Sequence, residues 1–196
     1  MQPKLILASA SPRRRALLDS LQLKFSCRPV ELDETPLEGE ESVAYVRRLA
    51  QAKAEAETRS DEIILAADTI VVVDGRLLGK PADADEASEM LRALSGRQHQ
   101  VLTGVAVHPP AAPSEVAVCR SSVTIAPLSD DEIAWYVSTG EPADKAGAYA
   151  IQGLGAVLVD SVDGNYSNVV GLPLPTVYRM FRSVGFDLRD FRLSSC

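Results

Sequence analysis

Ile63-Ile64-Leu65-Ala66-Ala67-Asp68-Thr69-Ile70-Val71-Val72-Val73 is apolar except at Asp68 and Thr69. Its β-branched content predicts a central strand buried on both faces, as in a sheet covered by helices. A charged, unpaired carboxylate in such a strand would cost several kcal/mol. Asp68 therefore calls for a metal, a cation or a proton, unless the strand emerges at a sheet edge or neighbouring N–H groups satisfy it. Asp74-Gly75 turns the strand, Arg76 to Gly79 pairs back on it as a hairpin, and Lys80-Pro81 leaves extended.

Outward from this strand, helical and strand periods alternate. Lys4 to Ala8 is a short apolar strand that breaks at Ser9-Ala10-Ser11-Pro12, and Leu17, Leu18 and Leu21 then carry helical spacing over Arg13 to Leu21. Ser11 is a natural N-cap, with Pro12 in the first helical position. A second strand is expected near Phe25 to Arg28. From Glu40, the residues Val43, Val46, Ala50 and Lys53 mark one face of a helix in a stretch ending near Arg59. Beyond the hairpin, Asp85 to Leu94 is amphipathic and stops at Ser95-Gly96. Strands are expected at Gln98 to His108 and Glu115 to Ile125, around a Pro109 to Pro113 loop. Ser129 and Glu132 form a capping box for a helix reaching about Ser138. A strand at Ala156 to Asp160 and a helix at Thr176 to Val184 complete the series. Alternating elements with several hairpins predict an α/β fold on a mixed sheet.

The chain has 196 residues, 27 Asp and Glu against 20 Lys and Arg, and a formal net charge of −7. That balance excludes a general nucleic-acid coat, so any anion must be met locally. The hydrophobic share of 46% suits one domain or two packed lobes. No apolar run approaches the ~20 residues of a membrane span, and the opening lacks a signal-peptide layout, so the expectation is a cytoplasmic protein without membrane partners. Cys27, Cys119 and Cys196 give neither a disulfide framework nor a zinc pattern. His99 and His108 lack ligand partners and are expected at the surface or at strand ends. Asn165-Tyr166-Ser167 fits a glycosylation acceptor by chance.

Several polar residues invite chemistry. Lys53 on an apolar stripe either snorkels to the surface or points at an anion. Lys80 sits at a strand exit, where exposed lysines are common. The loop before the first helix offers free N–H groups, the positive helix end, the hydroxyls of Ser9 and Ser11, and Arg13-Arg14-Arg15; together these make an anion site suited to phosphate. Glu31, Asp33 and Glu34 lie in a polar loop and could help Asp68 hold a hard divalent cation, although acidic loops are usually just solvated. Gly147 to Gly155 combines small residues with the Gln152 amide, suggesting close approach of backbone to a ligand. There is no P-loop, dinucleotide fingerprint or nucleophile elbow.

Leu5-Ile6-Leu7-Ala8-Ser9-Ala10-Ser11-Pro12-Arg13-Arg14, Ala66-Ala67-Asp68-Thr69, Gly79-Lys80-Pro81, Leu94-Ser95-Gly96, Asp144-Lys145-Ala146-Gly147-Ala148-Tyr149, Ile151-Gln152-Gly153 and Val170-Gly171-Leu172-Pro173 occur in that order. Together they resemble the Maf family of nucleoside triphosphate pyrophosphatases, from about residue 4 to 185. The resemblance implies a single Maf-like domain with a Maf/Ham1-like α/β fold, an elongated mixed sheet with flanking helices and a cleft between two lobes. Residues 186–196 would form a tail outside it. The implied reaction splits a nucleoside triphosphate into monophosphate and pyrophosphate with Mg²⁺ or Mn²⁺. Asp68 would be the catalytic residue, a base or base-positioning group for the attacking water, a ligand to the metal, or both in succession, with Glu34 the metal-side glutamate, Arg14, Lys53 and Lys80 the phosphate-binding cations, and Ser9 in the loop. Arg13, Thr69 and Gln152 resemble the subgroup acting on dTTP and UTP, where 7-methyl-GTP enzymes carry Trp, Gln and Glu. Cleaning of the nucleotide pool, including modified pyrimidines, is the implied biology, with a homodimer as a possible assembly. The same family is associated with inhibition of septum formation and cell division, which would make the chain a regulatory binding protein, a role that could coexist with catalysis.

Overall fold

The computed structural model describes residues 2–193. β1 (Lys4–Leu7) leads through α1 (Pro12–Ser20), β2 (Phe25–Cys27) and α2 (Ser42–Glu55) to the long β3 (Glu62–Val73). A tight turn joins β3 to β4 (Arg76–Leu78), followed by α3 (Ala84–Leu94), β5 (Gln98–His108), β6 (Glu115–Ile125) and α4 (Asp130–Ser138). After a run of 3-10 turns come β7 (Val159–Asp163), α5 (Tyr166–Val170) and α6 (Leu174–Ser183). The strands form a 7-stranded mixed sheet in the order β2-β1-β3-β5-β6-β7, with β4 pairing β3. β1 is parallel to β2 and β3, while β4 is antiparallel to β3 and β7 to β6.

The described residues divide into two compact units. One takes the chain up to Asp68, Thr103–Cys119 and everything from Gly171 onward; the other takes Thr69–Leu102 and Arg120–Val170. In the first, strand alternation sends successive side chains to opposite faces of the sheet. Leu5 and Leu7 of β1, Ile63, Leu65 and Ala67 of β3, and Val105 and Val107 of β5 join a core with Leu18 of α1 and Val177, Met180 and Phe181 of α6. The intervening Ile6, Ile64, Ala66 and Ala106 pack instead with Ala50 and Ala54 of α2. These small residues let the helix sit close to the sheet. A Cβ on Gly104 of β5 would lie 2.1 Å from the Val46 carbonyl oxygen of α2, so glycine is required there. In the second unit, Val71, Val73, Val101, Val123 and Ile125 pack with Ala87, Leu91 and Leu94 of α3 and with Ile133 and Tyr136 of α4.

Local signals set several boundaries. The Ser11 side chain caps α1, with Pro12 at its start, and both halves of the Ser129–Glu132 capping box are formed at α4. Other boundaries depart from expectation. α2 ends at Glu55, short of Arg59, because Arg28 draws the following segment away: its guanidinium donates to the Glu57 carbonyl at 3.2 Å and to both Glu62 carboxylate oxygens. The strand expected from Ala156 begins at Val159, since Gly153–Leu158 forms a 3-10 helix. His99 and His108 stand at the two ends of β5, as the strand-end alternative had it, but His99 is not at the surface: it is 2% exposed, its Nε2 2.7 Å from the Tyr149 hydroxyl. Asn165 accepts from the Asn168 N–H and the Ser167 hydroxyl, so its motif is used in the turn that starts α5. Past residue 185, Leu188 and Phe191 join the first unit's core, so this tail is part of the packing. Cys196 lies outside the described residues.

Candidate active site

α2 turns Val46, Leu49, Ala50 and Ala54 toward the sheet, and the same stripe carries Lys53 inward in its last turn. On β3, Asp68 follows Ile64 and Ala66 on the face that packs against α2. The two side chains meet. Lys53 Nζ donates to Asp68 Oδ1 at 2.7 Å, and each side chain is only 10% exposed. Among the kinds of compensation open to Asp68, the fold itself supplies a cation, and Lys53 does not snorkel.

The same ammonium lies 2.6 Å from Glu34 Oε1, on a side chain that is half exposed. Glu34 belongs to the acidic loop before α2, whose backbone is tied to that helix. The Tyr45 hydroxyl donates to the Glu34 carbonyl at 2.9 Å. Arg48 donates two bonds of 2.7 Å to the Glu40 carboxylate and one of 3.2 Å to the Thr35 carbonyl. Its guanidinium also lies 5.6 Å from the centre of the Tyr45 ring. The hydrogen bonds from Arg48 hold the Glu40 carboxyl down at about 2. Burial, then the charges of Asp68 and Glu34, push the Tyr45 phenol up to about 12. Of the loop's other acids, Asp33 is used locally, accepting the Thr35 N–H at 2.9 Å, and Glu31 is exposed.

The loop before α1 forms a second cluster. Ser9 is buried, and its Oγ accepts the Ser11 N–H at 3.2 Å and Arg14 Nη1 at 3.1 Å. Arg14 Nε donates to the Gly171 carbonyl at 2.8 Å, so two of the sequence motifs meet at one guanidinium. Burial lowers the Arg14 pKa; the Asp68 charge opposes this, Arg13 adds to it, and Glu34 opposes it again. Arg14 therefore lies within electrostatic reach of both carboxylates. Arg13 is half-buried beside it.

Thr69, Lys80 and Gln152 fall in the second unit. Thr69 is half-buried in β3, and strand alternation points it away from the face that Asp68 occupies. Lys80 is exposed just past β4, and the Gly79 carbonyl before it accepts the Gly147 N–H at 3.0 Å. Gln152 is exposed in front of the 3-10 turn. The close approaches expected of the glycines here are made to the protein itself. A Cβ on Gly147 would meet Val71 at 2.9 Å, and one on Gly155 would meet the Tyr136 hydroxyl and the Ala150 carbonyl, each at 2.5 Å.

Sequence reasoning missed Tyr45, Arg48 and Glu40. The i, i+3 spacing of Tyr45 and Arg48 marks them as neighbours on one helix face, which was a usable signal. Among the described residues, no group of three or more His, Cys, Asp or Glu side chains is placed to hold a metal. Glu34 and Asp68 are a pair, joined through Lys53.

A family model described as Maf-like protein matches residues 4–184. The chain belongs to the Maf-like protein family. The matched span agrees with the extent of the ordered motifs. Relatives of this Maf-like chain include the dTTP/UTP pyrophosphatase of Anaeromyxobacter dehalogenans, 53% identical over 191 residues, covering 96% of this chain and 97% of that protein. The dTTP/UTP pyrophosphatase of Myxococcus xanthus is 50% identical over 189 residues, 95% of each chain. Among solved structures, the Staphylococcus aureus Ham1 protein is 13% identical with a TM-score of 0.46, covering 96% of this chain and 93% of its own. No helix among the described residues is long and apolar enough to cross a membrane.

Proposed function

We propose that this Maf-like protein hydrolyses dTTP and UTP to the monophosphate and pyrophosphate, clearing pyrimidine triphosphates and their modified forms from the nucleotide pool. The observation that carries this reading is the Lys53–Asp68–Glu34 cluster, in which Lys53 and Asp68 are buried and Arg14 lies within electrostatic reach of both carboxylates. It is supported by relatives at 50% identity and above, over nearly the whole chain, that carry the name dTTP/UTP pyrophosphatase.

In this reading a water oxygen attacks the α-phosphorus in line, the bond from that phosphorus to the bridging oxygen breaks, and pyrophosphate leaves. Asp68 accepts or orients the proton of the attacking water, and Lys53 fixes the direction of its carboxylate. Arg14, Lys53 and Lys80 neutralise the phosphate oxygens, helped by the Ser9 hydroxyl and the N–H groups at the start of α1. Glu34 and Asp68, whose carboxylates converge on Lys53, offer two hard oxygen donors of the kind Mg²⁺ or Mn²⁺ takes, and these two residues would hold the ion. Such an ion would supply charge neutralisation and polarisation of the phosphoryl oxygens. Arg13, Thr69 and Gln152 select the base, the Gln152 amide offering a pyrimidine edge both a donor and an acceptor.

The test is to incubate purified protein with dTTP, UTP, GTP and 7-methyl-GTP in Mg²⁺ or Mn²⁺ and to score pyrophosphate against orthophosphate. Pyrophosphate together with dTMP or UMP is the expected outcome. Release of orthophosphate, or no cleavage of either pyrimidine nucleotide, overturns the proposal.

A further inference from the structure

Gln152 makes no cap bond to the 3-10 turn it precedes, yet the backbone on either side of it is tightly held. The Glu141 carboxylate accepts the Leu154 N–H at 3.0 Å through Oε2 and the Gly155 N–H at 2.8 Å through Oε1. Tyr136, fully buried, donates its hydroxyl to Glu141 Oε1 at 2.8 Å and accepts the Ala150 N–H at 3.1 Å. One carboxylate and one phenol thus clamp the chain two residues before Gln152 and two and three residues after it. The glycine between is matched to this clamp: Gly153 has φ +67°, and a Cβ there would lie 2.5 Å from Glu141 Oε2. Glu141 is itself anchored, since Lys145 Nζ donates to its carbonyl at 3.0 Å.

We infer that Glu141, assisted by Tyr136, is a positioning residue for base selection, holding the Gln152 amide in one presentation. This rests on the reading of Gln152 as a base-contacting residue. The physical reason is preorganisation. Bonds from backbone N–H groups to a carboxylate are stronger than neutral ones, so the segment stays in one geometry. An amide presented in one geometry leaves unpaired polar groups against the wrong base, whereas a mobile segment could turn the amide to suit either edge.

The experiment compares kcat/KM for dTTP and GTP in the full-length protein, with amide hydrogen exchange at Leu154 and Gly155 read in parallel. Glu141→Gln should speed exchange at both amides and lower the dTTP-to-GTP ratio by about tenfold. In a Gln152→Ala background the same substitution should leave the ratio where Gln152→Ala alone puts it. An unchanged ratio despite faster exchange, or an equal further loss without Gln152, overturns the inference. Should Glu141→Gln fail to fold, Tyr136→Phe carries the test: a smaller fall in the ratio supports the inference, and no fall overturns it. Equal dTTP and GTP rates in the unmutated protein would instead overturn the base assignment of Gln152, and this inference with it.

Discussion

Replacing Asp68 by Asn separates chemistry from folding. The substitution keeps the shape of a side chain that is 10% exposed, and an Asn oxygen can still accept from Lys53 Nζ, now 2.7 Å from the carboxylate. A hydrogen bond between charged groups is worth about 1.5 to 3 kcal/mol, but part of that returns because a charge no longer has to be buried. Lys53 also keeps Glu34 at 2.6 Å, so no ammonium is stranded in the core. The expected net loss is about 1 kcal/mol, or roughly 2 to 4 °C in Tm for a chain of this size. Turnover should behave quite differently: an amide cannot take a proton from water, and losing a general base costs at least ~100-fold. Pyrophosphate release from dTTP and urea unfolding, measured on the same preparation, check both halves. Near-normal turnover in a well-folded Asp68→Asn protein would refute the assignment.

Lys53→Ala should abolish most turnover and also destabilise the fold by about 3 kcal/mol, because it leaves Asp68 buried without a partner. Lys80→Ala removes an exposed side chain and should impair turnover with an unchanged urea midpoint; normal kinetics for both variants would mean that neither lysine meets the phosphates. In substrate panels, UTP and dTTP should exceed GTP and 7-methyl-GTP by roughly tenfold to a hundredfold, and the combined change Arg13→Trp, Thr69→Gln and Gln152→Glu should move preference toward 7-methyl-GTP. Faster cleavage of 7-methyl-GTP by the unmutated protein would contradict the base reading while leaving the pyrophosphatase reading intact. His99 supplies a pH test: burial holds it down at about 4, against an ordinary 6.5. The unfolded chain therefore takes up the proton first, so this contribution is complete above pH 6.5 and is lost, by about 3 kcal/mol, as pH falls toward 4. Urea midpoints across that range should slope less steeply for His99→Gln, and identical slopes would contradict the burial argument.

The alternation of apolar residues was enough to place β5 and β6, and the Ser129–Glu132 box to place α4, because those signals are local to a few consecutive residues. The same local reading singled out Asp68 within an apolar strand and Lys53 on an apolar helix stripe. A helical or strand period states which way a side chain points from its own element, but not what stands opposite. That Lys53 meets both Asp68 and Glu34 was decided by packing, through alanines on α2 and β3 and a glycine on β5 that let helix and sheet approach closely. Tertiary structure alone also ended α2 early, through Arg28, and buried His99 against Tyr149. It likewise brought Glu141 to the N–H groups of Leu154 and Gly155. Each of these rests on a contact between segments remote in sequence, whose free energy exists only once the intervening chain has folded and brought the partners into register.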